Sequence, residues 1–102
     1  MTYVLCLSPA IEGDVTEVAD HYARIDTALA MRFTDELERT LRLIESYPLA
    51  GRVLYGDVRR MVLAVFPYLL TYRVEGDQIR VQLLVHTHRD PTWIKKTVGE
   101  RS

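Results

Sequence analysis

The apolar residues of this chain keep a helical spacing to about residue 47 and a spacing of two from about residue 60 onward. That change of period constrains the fold more than any other feature. A first half that buries a helix stripe and a second half that buries a sheet face satisfy each other by packing helices on a sheet. With 102 residues, 48% hydrophobic and 26% charged, there is material for one core, so residues 1–102 are expected to form a single domain. A cofactor domain beside a substrate domain does not fit in this length. Function is therefore expected on an open face.

Residues 3–7 read as a short strand stopped by Ser8-Pro9, with Ser8 placed to cap a helix and Pro9 at its first position. Ile11, Val15, Val18, Ala19, Tyr22 and Ile25 give that helix its stripe, and Glu12, Asp14, Glu17 and Asp20 its outer side. Asp26-Thr27 caps a second helix, with Ala30, Phe33, Leu37, Leu41 and Ile44 inward and Arg32, Asp35, Glu36, Glu38, Arg39 and Arg42 outward. It is expected to end near Tyr47, because Pro48 disfavours helical geometry in the residue before it. The short connection makes the two an antiparallel hairpin.

Residues 49–57, with Gly51 and Gly56, read as a loop. Strands are expected over residues 60–66, 68–75 and 78–86, the last two joined by Gly76-Asp77 as a two-residue turn. Asp90 and Pro91 start a final helical turn, Trp93 packs over the core edge, and Lys95 and Lys96 follow as a basic tail. The expected fold is α+β: an N-terminal strand, an antiparallel two-helix hairpin, then a three-stranded antiparallel meander that the first strand joins. The helices are expected to cover one face of that sheet.

A turn at Gly76-Asp77 sets Val74 opposite Ile79, Tyr72 opposite Val81, Leu70 opposite Leu83 and Tyr68 opposite Val85, an apolar face for the helices. The other face pairs Arg73 with Arg80 and Thr71 with Gln82. A comparably tight connection at Phe66-Pro67 puts Arg60 beside Arg73, with His86 and His88 extending this polar face. Like charges set across a sheet are destabilising. They either blunt the sheet against aggregation or bind phosphates and carboxylates, whose geometry guanidinium groups match.

The net charge of −1 conceals a division. Residues 1–51 carry four basic against nine acidic side chains, net −5, and residues 52–102 nine against five, net +4. This points to an anionic partner for the second half. The single cysteine, Cys6, offers neither an intrachain disulfide nor a zinc site, and no metal or cofactor is expected. No apolar stretch approaches a membrane span and residues 1–8 lack a basic leader, so the expected location is the cytoplasm. His86 and His88 are candidates for proton exchange beside arginines; the plainer reading is that His86 closes a strand and His88 bonds Asp90.

Pro48 with Gly51, Arg60, Phe66-Pro67-Tyr68 with Tyr72 four residues on, and Val85-His86 leading into Arg89-Asp90-Pro91 and Trp93 form an ordered set. In that order and spacing the chain resembles the RelE/ParE superfamily of small bacterial toxins from type II toxin–antitoxin modules. The likeness runs from Tyr3 to about Trp93 and is nearer to ParE-like members. It implies a toxin neutralised by a cognate antitoxin, with oligomers formed through that antitoxin. ParE-like members are described as poisoning DNA gyrase without cleaving bonds; the target-binding residues would then be Arg60, Arg73, Arg80 and Arg89. RelE-like members cut messenger RNA on the ribosome, which would make Arg60, Arg73, His86 and His88 catalytic. The chain lacks the lysine-rich loop and late tyrosine common among cleaving members. A third reading is an antitoxin-binding partner without toxicity.

Overall fold

The computed structural model describes residues 2–101. Along them run β1 (Val4–Leu7), α1 (Ile11–Ile25), α2 (Thr27–Ser46), β2 (Arg52–Tyr55), β3 (Val58–Val62), β4 (Tyr68–Glu75), β5 (Gln78–His86) and α3 (Pro91–Arg101). The strands form one five-stranded sheet in the order β1-β5-β4-β3-β2. α1 and α2 carry the chain from one edge to the other, and three antiparallel pairings bring it back until β5 lies parallel to β1. The sheet is thus mixed and five-stranded, not a three-stranded meander joined by the first strand.

The additional strand is β2, in the segment read as a loop. Gly56-Asp57 turns β2 into β3 as Gly76-Asp77 turns β4 into β5, and both glycines take positive φ, 52° and 62°. β2 is held inward by Tyr72, whose fully buried hydroxyl accepts from the Gly51 N–H at 3.0 Å and donates to the Pro48 carbonyl at 2.8 Å. A Cβ on Gly51 would lie 2.1 Å from that hydroxyl oxygen, so only glycine fits. Arg59 adds two bonds, its Nη1 donating to the carbonyls of Leu49 at 3.2 Å and Gly51 at 2.8 Å.

Asp26 caps α2 by accepting from the Ala28 N–H at 2.9 Å, as its position suggests. α1 begins at Ile11 without a side-chain cap; Ser8 instead accepts the Ile11 N–H through its backbone carbonyl. Phe33, Ile44, Leu70, Tyr72, Ile79 and Val81 are fully buried between these helices and the sheet. Each such side chain contributes roughly 1.5–3 kcal/mol. Glu36 is buried rather than outward, because its carboxylate accepts the backbone N–H groups of Val65 (2.9 Å) and Phe66 (3.1 Å). That pins the β3–β4 loop to α2 and seats Phe66 against Tyr22 and Phe33.

The β4–β5 register is the expected one from Glu75↔Gln78 to Tyr72↔Val81, and then a β-bulge at Gln82 shifts it. Beyond the bulge the pairs are Thr71↔Leu83, Leu70↔Leu84, Leu69↔Val85 and Tyr68↔His86. Side chains alternate between faces, so one extra residue exchanges the two sets. Leu84, not Leu83, joins Leu70 under α1 and α2, while Leu83 and Val85 join Val58 and Leu69 on the opposite face. That second apolar patch is covered by Ile94 and Val98 of α3, an 11-residue helix where a single turn was expected. Helices therefore lie on both faces of the sheet. Thr71 is buried beside this patch, and its hydroxyl has no hydrogen-bond partner among the described residues.

β1 ends where Leu7 pairs with Val81, which leaves the edge of β5 open beyond it. Asp14 of α1 and Arg101 of α3 close that edge. Arg101 donates to both Asp14 carboxylate oxygens, at 2.5 and 3.0 Å, and to the Gln82 carbonyl at 3.0 Å; Asp14 accepts the Leu84 N–H at 3.2 Å. The bond to Asp14 raises the Arg101 pKa above its ordinary value. Asp14, read as part of a solvated face, is thus the clasp between α1, the bulge and α3.

Candidate functional site

On the sheet face that α3 covers in part, the strands present a set of arginines. Arg73 and Arg80 stand directly opposite one another, as the hairpin register requires. Arg60 does not lie beside Arg73: it faces Thr71, and Val58 faces Arg73. Residues 63–67 form a wider loop than the tight turn expected at Phe66-Pro67, which slides β3 by two residues. A two-residue slide preserves the alternation, so Arg60 keeps its face and stands diagonal to Arg73.

Two of these arginines carry carboxylates of the same chain. The Arg73 Nε lies 3.0 Å from Asp57 Oδ1, and the Arg80 Nε 2.8 Å from Glu75 Oε2. Both pairs are half-open to solvent, where such contacts contribute little stability. They nonetheless neutralise the groove of about 380 Å³ lined by Arg73, Glu75, Arg80, Arg101 and Cys6. Arg60 differs, since its side chain makes no ion pair or hydrogen bond among the described residues. Directly across from it on β2 stands Arg52, equally without one.

The histidines are elsewhere. The bulge turns His86 onto the face of α1 and α2, where its ring meets Tyr68 with centroids 5.4 Å apart. Its Nδ1 accepts the His88 N–H at 3.1 Å, so His88 bonds His86 and not Asp90; Asp90 caps α3 through the Thr92 N–H at 2.9 Å. His86 therefore does not extend the arginine face, and an imidazole beside Arg60 or Arg73 is not formed. Arg89, beyond the far end of β5, stacks its guanidinium 3.9 Å above the Trp93 ring, remote from Arg80 near the strand's start. Lys95 belongs to α3 rather than to a tail, with its Nζ 5.3 Å from the Tyr55 ring centroid.

Of the expected site residues, the structure brings Arg60, Arg73 and Arg80 to one face, leaves Arg89 apart and removes His86. Arg52 escaped notice because β2 was read as loop. The repeated Gly-Asp pair at Gly56-Asp57 was the signal that could have found it. No group of three or more His, Cys, Asp or Glu side chains among the described residues could hold a metal. Burial raises the Tyr72 pKa, and burial together with Tyr68 raises that of Tyr22, so both phenols are neutral structural donors.

Residues 5–91, from β1 into the start of α3, match the family model of the ParE toxin of the type II toxin–antitoxin system parDE. The chain belongs to the ParE toxin family. Its fold is similar to that of a chain in a solved structure described as a chromosomal ParDE TA system from P. aeruginosa, with a TM-score of 0.74 and 19% sequence identity. The likeness covers 83% of this chain and 96% of that one. No curated protein sequence matches the chain. The ordered motif from Pro48 to Trp93 thus marked the family correctly. Among the described residues of this ParE-family chain, no helix is long and apolar enough to cross a membrane.

Proposed function

We propose that this chain is the toxin of a type II toxin–antitoxin module, that it inhibits growth by poisoning DNA gyrase in the cytoplasm, and that a cognate antitoxin neutralises it. Family membership across residues 5–91 is the observation that carries the reading. A second observation favours a binding toxin over a ribosome-dependent RNA-cleaving enzyme. Phosphodiester cleavage needs an acid or base within reach of the cations that stabilise the developing charge, and His86 lies on the opposite face from Arg60 and Arg73. In this reading Arg60 is the leading target contact; Arg73 and Arg80 serve once their carboxylate partners are displaced, and Arg89 acts at the far end of β5.

Purified protein is incubated with gyrase and plasmid, and separately with translating ribosomes and message. Inhibited supercoiling with intact message supports the proposal. Cleaved message with normal supercoiling overturns it in favour of the nuclease, and inertness in both favours an antitoxin-binding partner without toxicity. In cells, Arg60→Ala with Arg73→Ala is expected to abolish growth inhibition while the protein stays folded; full toxicity in the double variant would exclude the face.

A further inference from the structure

We infer that the β2–β3 hairpin is a clamp for one phosphate of a nucleic-acid backbone, gripped between Arg52 and Arg60. This deepens the proposed reading, placing the protein in contact with the DNA that gyrase holds. The clamp rests on four observations. First, Arg52 and Arg60 are directly opposite across adjacent antiparallel strands, so two guanidinium groups rise from neighbouring positions on one face. Such a like-charge pair destabilises the bare hairpin, and an anion between the two relieves the repulsion.

Second, the other arginines of the sheet and of α3's last turn have partners within the chain: Arg59 two carbonyls, Arg73 Asp57, Arg80 Glu75 and Arg101 Asp14. Arg52 and Arg60 are the two strand arginines without one among the described residues. Arg39 and Arg42 on α2 also lack ion pairs, but Asp35 and Glu38 stand four residues before them on the same helix. β2 and β3 contain no carboxylate, and Asp57 in their turn is committed to Arg73.

Third, β2 is the outermost strand, where a duplex can approach without meeting α1 or α2. Fourth, the charge around the pair suits an extended polyanion. Lys95 of α3 reaches Tyr55 of the same hairpin, whereas the acidic side chains of residues 1–51 belong almost wholly to the two helices on the other face. An acidic protein segment would meet the same two guanidinium groups, but the aromatic of this hairpin, Tyr55, is half-buried under Lys95, and beside Arg60 on this face the exposed apolar side chain is the small Val62, so a phosphate backbone fits the site better.

The test measures binding of the full chain to a fluorescein-labelled 30-base-pair duplex by anisotropy across a salt series. Wild type is expected to bind at 50 mM salt, and Arg52→Gln with Arg60→Gln to weaken binding about tenfold and lower the slope of log K against log salt by about 0.9, the value for one lost phosphate contact. Because both side chains hold one phosphate, either single variant is expected to lose most of that slope. Arg39→Gln with Arg42→Gln removes the same net charge and is expected to change affinity less than twofold. Arg52→Lys with Arg60→Lys keeps the charge without the paired donors and is expected to bind between the two. Absence of duplex binding, unchanged binding by the clamp variant, an equal loss in the α2 variant, or polyglutamate displacing wild type more effectively than unlabelled duplex would each overturn the inference. Failure of the clamp and failure of the gyrase reading are separable: supercoiling inhibition that survives without duplex binding sinks only the clamp, and arginine-dependent duplex binding without gyrase inhibition sinks only the toxin's target.

Discussion

Two of the hairpins of this sheet turn on the same dipeptide and set an arginine pair across their strands, yet they are opposite in character. The β4–β5 hairpin is central, with helices on both faces of its body, and the Arg73–Arg80 pair at its solvent-open end is neutralised by Asp57 and Glu75. The β2–β3 hairpin lies at the edge, is held to the body by the bonds of Tyr72 and Arg59, and leaves Arg52 and Arg60 free of ion pairs. A charged pair in the middle of a sheet is compensated within the chain. At the edge the same pair has no carboxylate of the chain beside it, which is where the proposed clamp places a partner's phosphate.

The largest expected effect comes from detaching the edge hairpin. Gly51→Ala drives a methyl group into the Tyr72 hydroxyl and is expected to cost about 3 kcal/mol in denaturant unfolding, with exchange protection lost first in β2. Uniform loss across all strands would show the two hairpins to be one cooperative unit. Tyr72→Phe leaves the Pro48 carbonyl and the Gly51 N–H unpaired and is expected to cost about 2 kcal/mol. Burial raises the Tyr72 pKa above its ordinary value near 10. Above pH 10 the unfolded chain therefore gives up this proton before the folded one, and stability falls as pH rises further. Comparing melts at pH 9 and 11, Tyr72→Phe is expected to flatten part of that fall; Tyr22, shifted the same way, adds to it.

On the central side, Asp14→Asn weakens the clasp over the bulge and is expected to cost about 2 kcal/mol, read as a lowered unfolding midpoint. Thr71→Val replaces an unbonded buried hydroxyl by a methyl group and is expected to raise stability by about 1 kcal/mol; a loss would show that the hydroxyl has a bound water. Smallest of all, Asp57→Asn is expected to change stability by less than about 0.5 kcal/mol, because the ion pair is exposed. It frees Arg73, so duplex binding is expected to tighten slightly, and that rise measures how far the chain's own carboxylates mask the central pair.

Much of this molecule was legible residue by residue. The stripes of α1 and α2 (apart from Ile25, which ends α1 64% exposed), the cap at Asp26, the Gly76-Asp77 turn and the limits of β4 and β5 follow from local pattern, because spacing and turn chemistry act within a few residues. β2 was legible too, in Gly56-Asp57, but its four residues carry too little alternation to stand out. The bulge at Gln82 was not: it registers only when β5 is laid against β4 and the helices on either face claim their apolar residues.

Sequence alone determined that helices would pack on a sheet, that the second half would be basic, and, through the Gly76-Asp77 turn, that Arg73 would stand opposite Arg80; Arg60 shares their face because the slide of β3 is an even number of residues and leaves its alternation intact. Tertiary structure decided which arginines are neutralised, which face receives His86, and that α3 covers a second core. Those outcomes depend on register and on contacts between residues far apart in the chain, such as Arg101 with Asp14, and a shift of one residue reverses them.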